Sequence, residues 1–112
     1  ALAAADKLAE KGIEAAVIDL YCVKPIDEST LVKFAKKTGA MVTAEEHNIY
    51  CGVGSAVAEV LTEEVPVPVV KVGVQDTFAE SGPVRDLLVK YGLTSSDIVK
   101  AAKKALYKKQ KN

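Results

Sequence analysis

Three short apolar runs rich in β-branched residues, Ala15–Tyr21 (AAVIDLY), Ala40–Ala44 (AMVTA) and Val69–Val74 (VVKVGV), alternate along the chain with stretches of helical periodicity. Runs of this size fit strands and are too short for buried helices. Strands separated by helices do not pair as hairpins. The order helix, strand, helix, strand, helix, strand, helix, helix is that of a mostly parallel sheet covered on both faces, a three-layer α/β/α domain. Right-handed crossovers bring the C-terminal ends of all three strands to one rim, where open α/β sheets usually bind something. The first helix has no strand ahead of it, so the pattern also predicts that one strand of the sheet is missing from residues 1–112.

Local chemistry marks the element ends. Leu2 to Lys11 is rich in good helix formers and Gly12 stops it. After the Lys24-Pro25-Ile26 turn, Asp27 is placed as an N-cap and Gly39 closes the helix whose inward stripe is Leu31, Phe34, Ala35 and Thr38. The next helix presents Val53, Val57, Val60 and Leu61. Pro83 opens a helix with Val84, Leu87, Leu88 and Tyr91 as its stripe, and Thr94 with Asp97 forms a capping box for the last one. There Ile98, Ala101, Ala102 and Ala105 face inward.

Charge narrows the class of partner. The formal net charge is zero, which argues against a general nucleic-acid binder. Its distribution is uneven: residues 1–99 carry nine basic and fifteen acidic side chains, and residues 100–112 carry six lysines and no acid. Lysines near a helix C-terminus complement its dipole, so a solvated last helix accounts for the tail more simply than an anion-binding arm. Cys22 and Cys51 have neither C-x-x-C nor metal-ligand spacing and read as free thiols of a reducing compartment. No apolar run reaches membrane-spanning length and no signal peptide is present, which points to the cytoplasm.

The predicted rim collects the residues with chemistry: Tyr21 and Cys22, Glu45 through Tyr50, and Gln75 through Ser81. His47 follows two glutamates at a strand end, where a carboxylate can select one tautomer; it is either an acid/base group or a rim histidine bonded to a neighbouring loop or subunit. Glu45 and Glu46 are adjacent on a strand, so they point to opposite faces and make a poor acid/base pair. Gly52, Gly54 and Ser55 form a glycine-rich start to a helix; its amides either cradle an anion or simply allow a tight turn. Val57 stands where a dinucleotide fingerprint needs its third glycine. Asp76, Phe78 and Ser81 lie in a loop long enough to be functional; the alternative is structural, with Ser81-Gly82 as a helix cap before Pro83 and Phe78 as a loop anchor. No nucleophile–base–acid set emerges from spacing alone.

Five stretches in order, EAAVIDLYCVKPID (14–27), VTAEEH (42–47), GVGSAVAEVL (52–61), VKVGVQDTFAESG (70–82) and KYGLTSSDIVKAA (90–102), resemble the C-terminal domain of transketolases of the bacterial and archaeal type, over nearly the whole chain. The resemblance implies a domain of a thiamine-diphosphate-dependent enzyme that moves two-carbon ketol units between sugar phosphates, as in the pentose phosphate pathway. In that family the cofactor and a divalent metal, Mg or Ca, sit between two earlier domains that supply a G-D-G…N stretch and an activating glutamate. Residues 1–112 contain no G-D-G. By the same resemblance the third domain supports a homodimer, packs near the active-site mouth and is a proposed regulatory ligand site. Its sheet has five strands, which would put the missing one between AAVIDLY and AMVTA. By resemblance, Glu45, Glu46 and His47 match the family's acid-acid-His stretch, Gly52 and Gly54 its glycine-rich helix start, and Asp76, Phe78, Ser81 and Gly82 its late loop. Cys51 departs from the usual glycine.

The expected function is therefore that of a non-catalytic assembly and regulatory domain, partnered by the other transketolase domains or by a separate N-terminal subunit. Two alternatives share the fold: the C-terminal domain of 1-deoxy-D-xylulose-5-phosphate synthase and that of a 2-oxoacid dehydrogenase β chain. The histidine after the paired acids and the F-x-x-S-G loop favour transketolase. A third, of another class, is a small self-contained enzyme using His47 with Cys51 or a glutamate.

Overall fold

The structure is a computed structural model and describes residues 1–111. Its elements are α1 (Leu2–Ala9), α2 (Glu28–Thr38), β1 (Met41–Asn48), α3 (Val53–Glu64), β2 (Val69–Val74), α4 (Val84–Lys90) and α5 (Ser95–Lys111). The helix ends follow from the residues that cap them. Asp27 accepts the Thr30 amide at 3.2 Å and the Ser29 and Thr30 hydroxyls, and the Thr30 hydroxyl is the main cause holding its carboxyl below the usual range. Gly39 ends α2 at φ 71°, a left-handed conformation that favours glycine. The Thr94 amide and hydroxyl donate to the Asp97 carboxylate, and the Asp97 amide returns to Thr94 Oγ1 at 3.4 Å, completing the capping box at the start of α5.

β1 and β2 pair in parallel, with Met41 opposite Val69 and Ala44 opposite Val72. The helices lie on both faces: α5 packs on both strands with α1 beside it, and α3 packs on both strands from the other side with α2 against it. This is the expected three-layer α/β/α arrangement. Two apolar clusters hold the layers. Leu31, Ala35, Val57 and Leu61 make the α2–α3 cluster, and Ala4, Leu8 and Val99 the α1–α5 cluster. Leu61 and Val57 are the deepest large side chains; full burial of each stabilises the fold by about 1.5–3 kcal/mol.

Ala15–Tyr21, predicted as a strand, is part of no strand or helix. Its ends are anchored, with Ile13 packed on the α1–α5 cluster and Leu20 on the α2–α3 cluster. It therefore runs between the two helical layers, where a strand of the sheet belongs. Between the anchors Ala15, Ala16 and Val17 are exposed. A strand forms only when its backbone finds a partner's amides and carbonyls; the apolar pattern is present here, and among the described residues no strand pairs with it. The α4 stripe also needs correcting. Leu87, Leu88 and Tyr91 are partly buried, but Val84 is 69% exposed and α4 buries no residue fully.

Candidate functional site

The EEH stretch is a bulge. Between the pair Ala44–Val72 and the pair Asn48–Val74, β1 has Glu45, Glu46 and His47 where β2 has only Gly73. Extra residues in one strand bend it and re-aim its side chains, which puts Glu45 and His47 together above the start of α3. Gly73 is required for this: a Cβ there would meet the His47 carbonyl oxygen at 2.7 Å.

Glu45 lies across the N-terminus of α3. Its carboxylate accepts the Val53 amide at 2.9 Å and the Gly54 amide at 2.7 Å, and its side chain is only 10% exposed. These are two of the amides that no helical carbonyl satisfies, and the helix dipole adds to the attraction for a negative group. Thus the glycine-rich turn does hold an anion, and the anion is the chain's own. A Cβ at Gly52 would come within 2.1 Å of Glu45 Oε1 and 2.9 Å of His47 Nδ1, so the residue must be glycine for both side chains to sit there. His47 Nδ1 is 2.8 Å from the Asn48 carbonyl oxygen and 3.8 Å from Glu45 Oε1, and the ring is 57% exposed.

Asn48 ties the two rim loops together. Its side-chain oxygen accepts the Tyr50 amide at 2.9 Å, and its side-chain nitrogen donates to Asp76 Oδ1 at 3.2 Å. Cys51 adopts φ 59°, which explains why glycine suits the position, and its amide donates to Ser55 Oγ at 2.9 Å. Tyr50 is exposed and lies over the Lys71 ammonium, 5.4 Å from ring centroid to Nζ.

The second loop is held more loosely. Asp76 has φ 44°. Glu80 donates its amide to the Tyr91 hydroxyl at 2.8 Å, and its carboxylate accepts Lys90, whose pKa this bond raises. Phe78 is wholly exposed, so it does not anchor the loop. Ser81 makes no capping bond: Pro83 is the N-cap of α4, without a side-chain cap.

The structure thus brings Glu45, His47, Gly52, Gly54 and Ser55 into one cluster and joins Asp76 to it through Asn48. Glu46 points elsewhere and is exposed, and Phe78 and Ser81 stand apart. Lys71 is not singled out from sequence, Asn48 is read only as part of the rim stretch, and Tyr91 only as an inward residue of its helix. Gly73 inside an apolar strand was the available signal for the bulge.

Residues 1–98 match the family model described as transketolase, C-terminal domain. The chain belongs to that family. It is 50% identical over 102 residues to the 6-deoxy-6-sulfo-D-fructose transketolase subunit SqwH of Clostridium sp. strain MSTE9, covering 91% of this chain and 32% of the relative. It is 43% identical over 104 residues to the 1-deoxy-D-xylulose-5-phosphate synthase of Desulforudis audaxviator, covering 91% of this chain and 16% of that enzyme. A solved split-gene transketolase, described as an inactive β4 tetramer, superposes with a TM-score of 0.93 at 58% identity, covering 96% of this chain and 35% of its own. This transketolase C-terminal domain therefore spans between 16% and 35% of these three proteins, and the two transketolases are closer to it in sequence than the synthase.

Proposed function

We propose that this domain is the assembly and regulatory part of a thiamine-diphosphate-dependent transketolase that transfers two-carbon ketol units between sugar phosphates, and that it is not catalytic alone. The observation that carries the reading is the open backbone of Ala15–Tyr21, held at both ends between the helical layers with no strand beside it. A segment of the parent enzyme would enter there as the missing strand, so that residues 1–112 join their neighbours through the sheet itself. The likeness to subunits and to a split-gene transketolase supports partners that are either preceding domains or a separate N-terminal chain. The β4 relative supports self-association of the parent, though not the homodimer in particular.

Thiamine diphosphate does not fit the one anion-binding feature of the rim. The α3 amides already hold the Glu45 carboxylate, which would repel a diphosphate. Cofactor and metal, Mg or Ca, are accordingly assigned to the rest of the enzyme. Among the described residues no helix is long and apolar enough to cross a membrane, and a cytoplasmic site fits that. The second reading, a synthase domain, rests on the 43% identity above.

The test is ketol transfer and thiamine diphosphate binding, measured for residues 1–112 alone and then with the rest of the parent enzyme. The expected result is neither activity nor binding alone and both on assembly. Turnover by the isolated chain would instead support the small-enzyme reading built on His47.

A further inference from the structure

We infer that Glu45 and the Asn48 carbonyl are positioning groups that keep the proton of neutral His47 on Nδ1, leaving Nε2 as a bare acceptor offered at the rim to a hydrogen-bond donor of the adjoining domain or subunit. This rests on the reading of the rim as an assembly surface and adds the atom that makes the contact.

A carbonyl oxygen only accepts, so the 2.8 Å approach of His47 Nδ1 to the Asn48 oxygen requires a proton on that nitrogen. The other tautomer would set the Nδ1 lone pair against the carbonyl lone pair. It would also face the Glu45 carboxylate at 3.8 Å with no intervening proton. Both neighbours therefore favour the same tautomer. Neither is free to move away. The carbonyl sits where Asn48 pairs with Val74 and the next amide, of Ile49, donates to the Val74 oxygen at 3.0 Å, and the carboxylate is fixed by two amides of α3. The ring itself is seated over Gly52, where no Cβ intrudes. Among the described residues Nε2 has no partner, and the ring is more than half exposed. A neutral imidazole whose two nitrogens are thus distinguished is a directed acceptor, since its second nitrogen is set by the bond the first one makes.

Two measurements test it. Nitrogen-15 shifts of the neutral His47 ring should show Nδ1 protonated and Nε2 bare. In Glu45→Ala the two tautomers should become mixed. In the assembled parent enzyme, His47→Asn keeps a donor at the Nδ1 position and has nothing at Nε2, whereas His47→Gln can place its oxygen near the Nε2 position. Sedimentation should therefore show assembly weakened several-fold by Asn and by Ala and restored by Gln. A proton on Nε2, or equal losses with Asn and Gln, overturns the assignment. Unchanged assembly in all three variants also overturns it, while the wider assembly reading then stands or falls on strand entry beside Ala15–Tyr21, which amide exchange in that segment reports.

Discussion

The two loops that meet at the rim are built in opposite ways. The first, residues 49–52, is tied to its surroundings by the Asn48 side chain, by Ser55 and by the Glu45 carboxylate on the amides just beyond it. The second, residues 75–83, has Asp76 bonded to Asn48 and Glu80 bonded to Tyr91 and Lys90, with the wholly exposed Phe78 between them. The first carries its order within the domain; the second leaves its largest apolar side chain for something outside. A bound loop positions a group such as His47, whereas a loosely held one adapts to a surface. Substitutions should therefore separate the two by where their effects are read: stability for the first loop, assembly for the second.

The largest effect should come from Gly73→Ala. The obstacle is a backbone oxygen, His47 O at 2.7 Å, which cannot rotate away. Overpacking of this kind costs about 1–3 kcal/mol, and urea denaturation should put this variant at the upper end, with the β1 bulge displaced. Glu45→Ala should follow, at about 1–2 kcal/mol, because two amides at a helix start lose their acceptor. Gly52→Ala should cost a similar amount by pushing the same carboxylate aside. The double variant then decides whether one interaction is being measured: if the clamp is the unit, the two losses are far from additive. Additive losses would mean that Gly52 acts independently of Glu45, and the first loop would lose its claim to be held by that carboxylate.

Much of this was legible in the residues. The caps at Asp27, Gly39 and Thr94–Asp97, the stripe Leu31, Ala35, Val57 and Leu61, and the strand Val69–Val74 all follow from local propensity and period, and tertiary packing agrees with them. Ala15–Tyr21 was misread because an apolar β-branched pattern states a preference for pairing and cannot supply the partner. Strict strand alternation sends Glu45 and Glu46 to opposite faces, which agrees with the exposed Glu46, but it gives no hint of the bulge, of which glutamate meets His47, or of the carboxylate's reach to α3. A contact eight and nine residues along the chain, from strand end to helix start, has no periodic signature. From sequence Phe78 is either a functional loop residue or a loop anchor, because large apolar side chains usually are buried; its full exposure removes the anchor reading, and nothing in the local sequence distinguishes the two.

A smaller effect should come from Cys51→Gly. A non-glycine residue in the left-handed region costs about 1–2 kcal/mol, and the added freedom of glycine in the unfolded chain takes back about 0.4–1 kcal/mol. A net gain of about 0.5 kcal/mol is expected, seen as a small rise in Tm, with His47 and Glu45 undisturbed.

The smallest effect on the domain itself should be that of Phe78→Ala. The ring makes no buried contact, and exposed substitutions of this kind stay within about 0.5 kcal/mol. If the second loop is made for a partner, the same variant should weaken assembly of the parent enzyme while leaving the denaturation midpoint of the domain where it was. A loss of more than about 1 kcal/mol in the domain alone would mean that Phe78 packs at home, and the contrast between the two loops would disappear. An unchanged midpoint with unchanged assembly would leave His47, at the end of β1 beside the first loop, as the rim's point of contact, and would move the apolar interface away from residues 75–83.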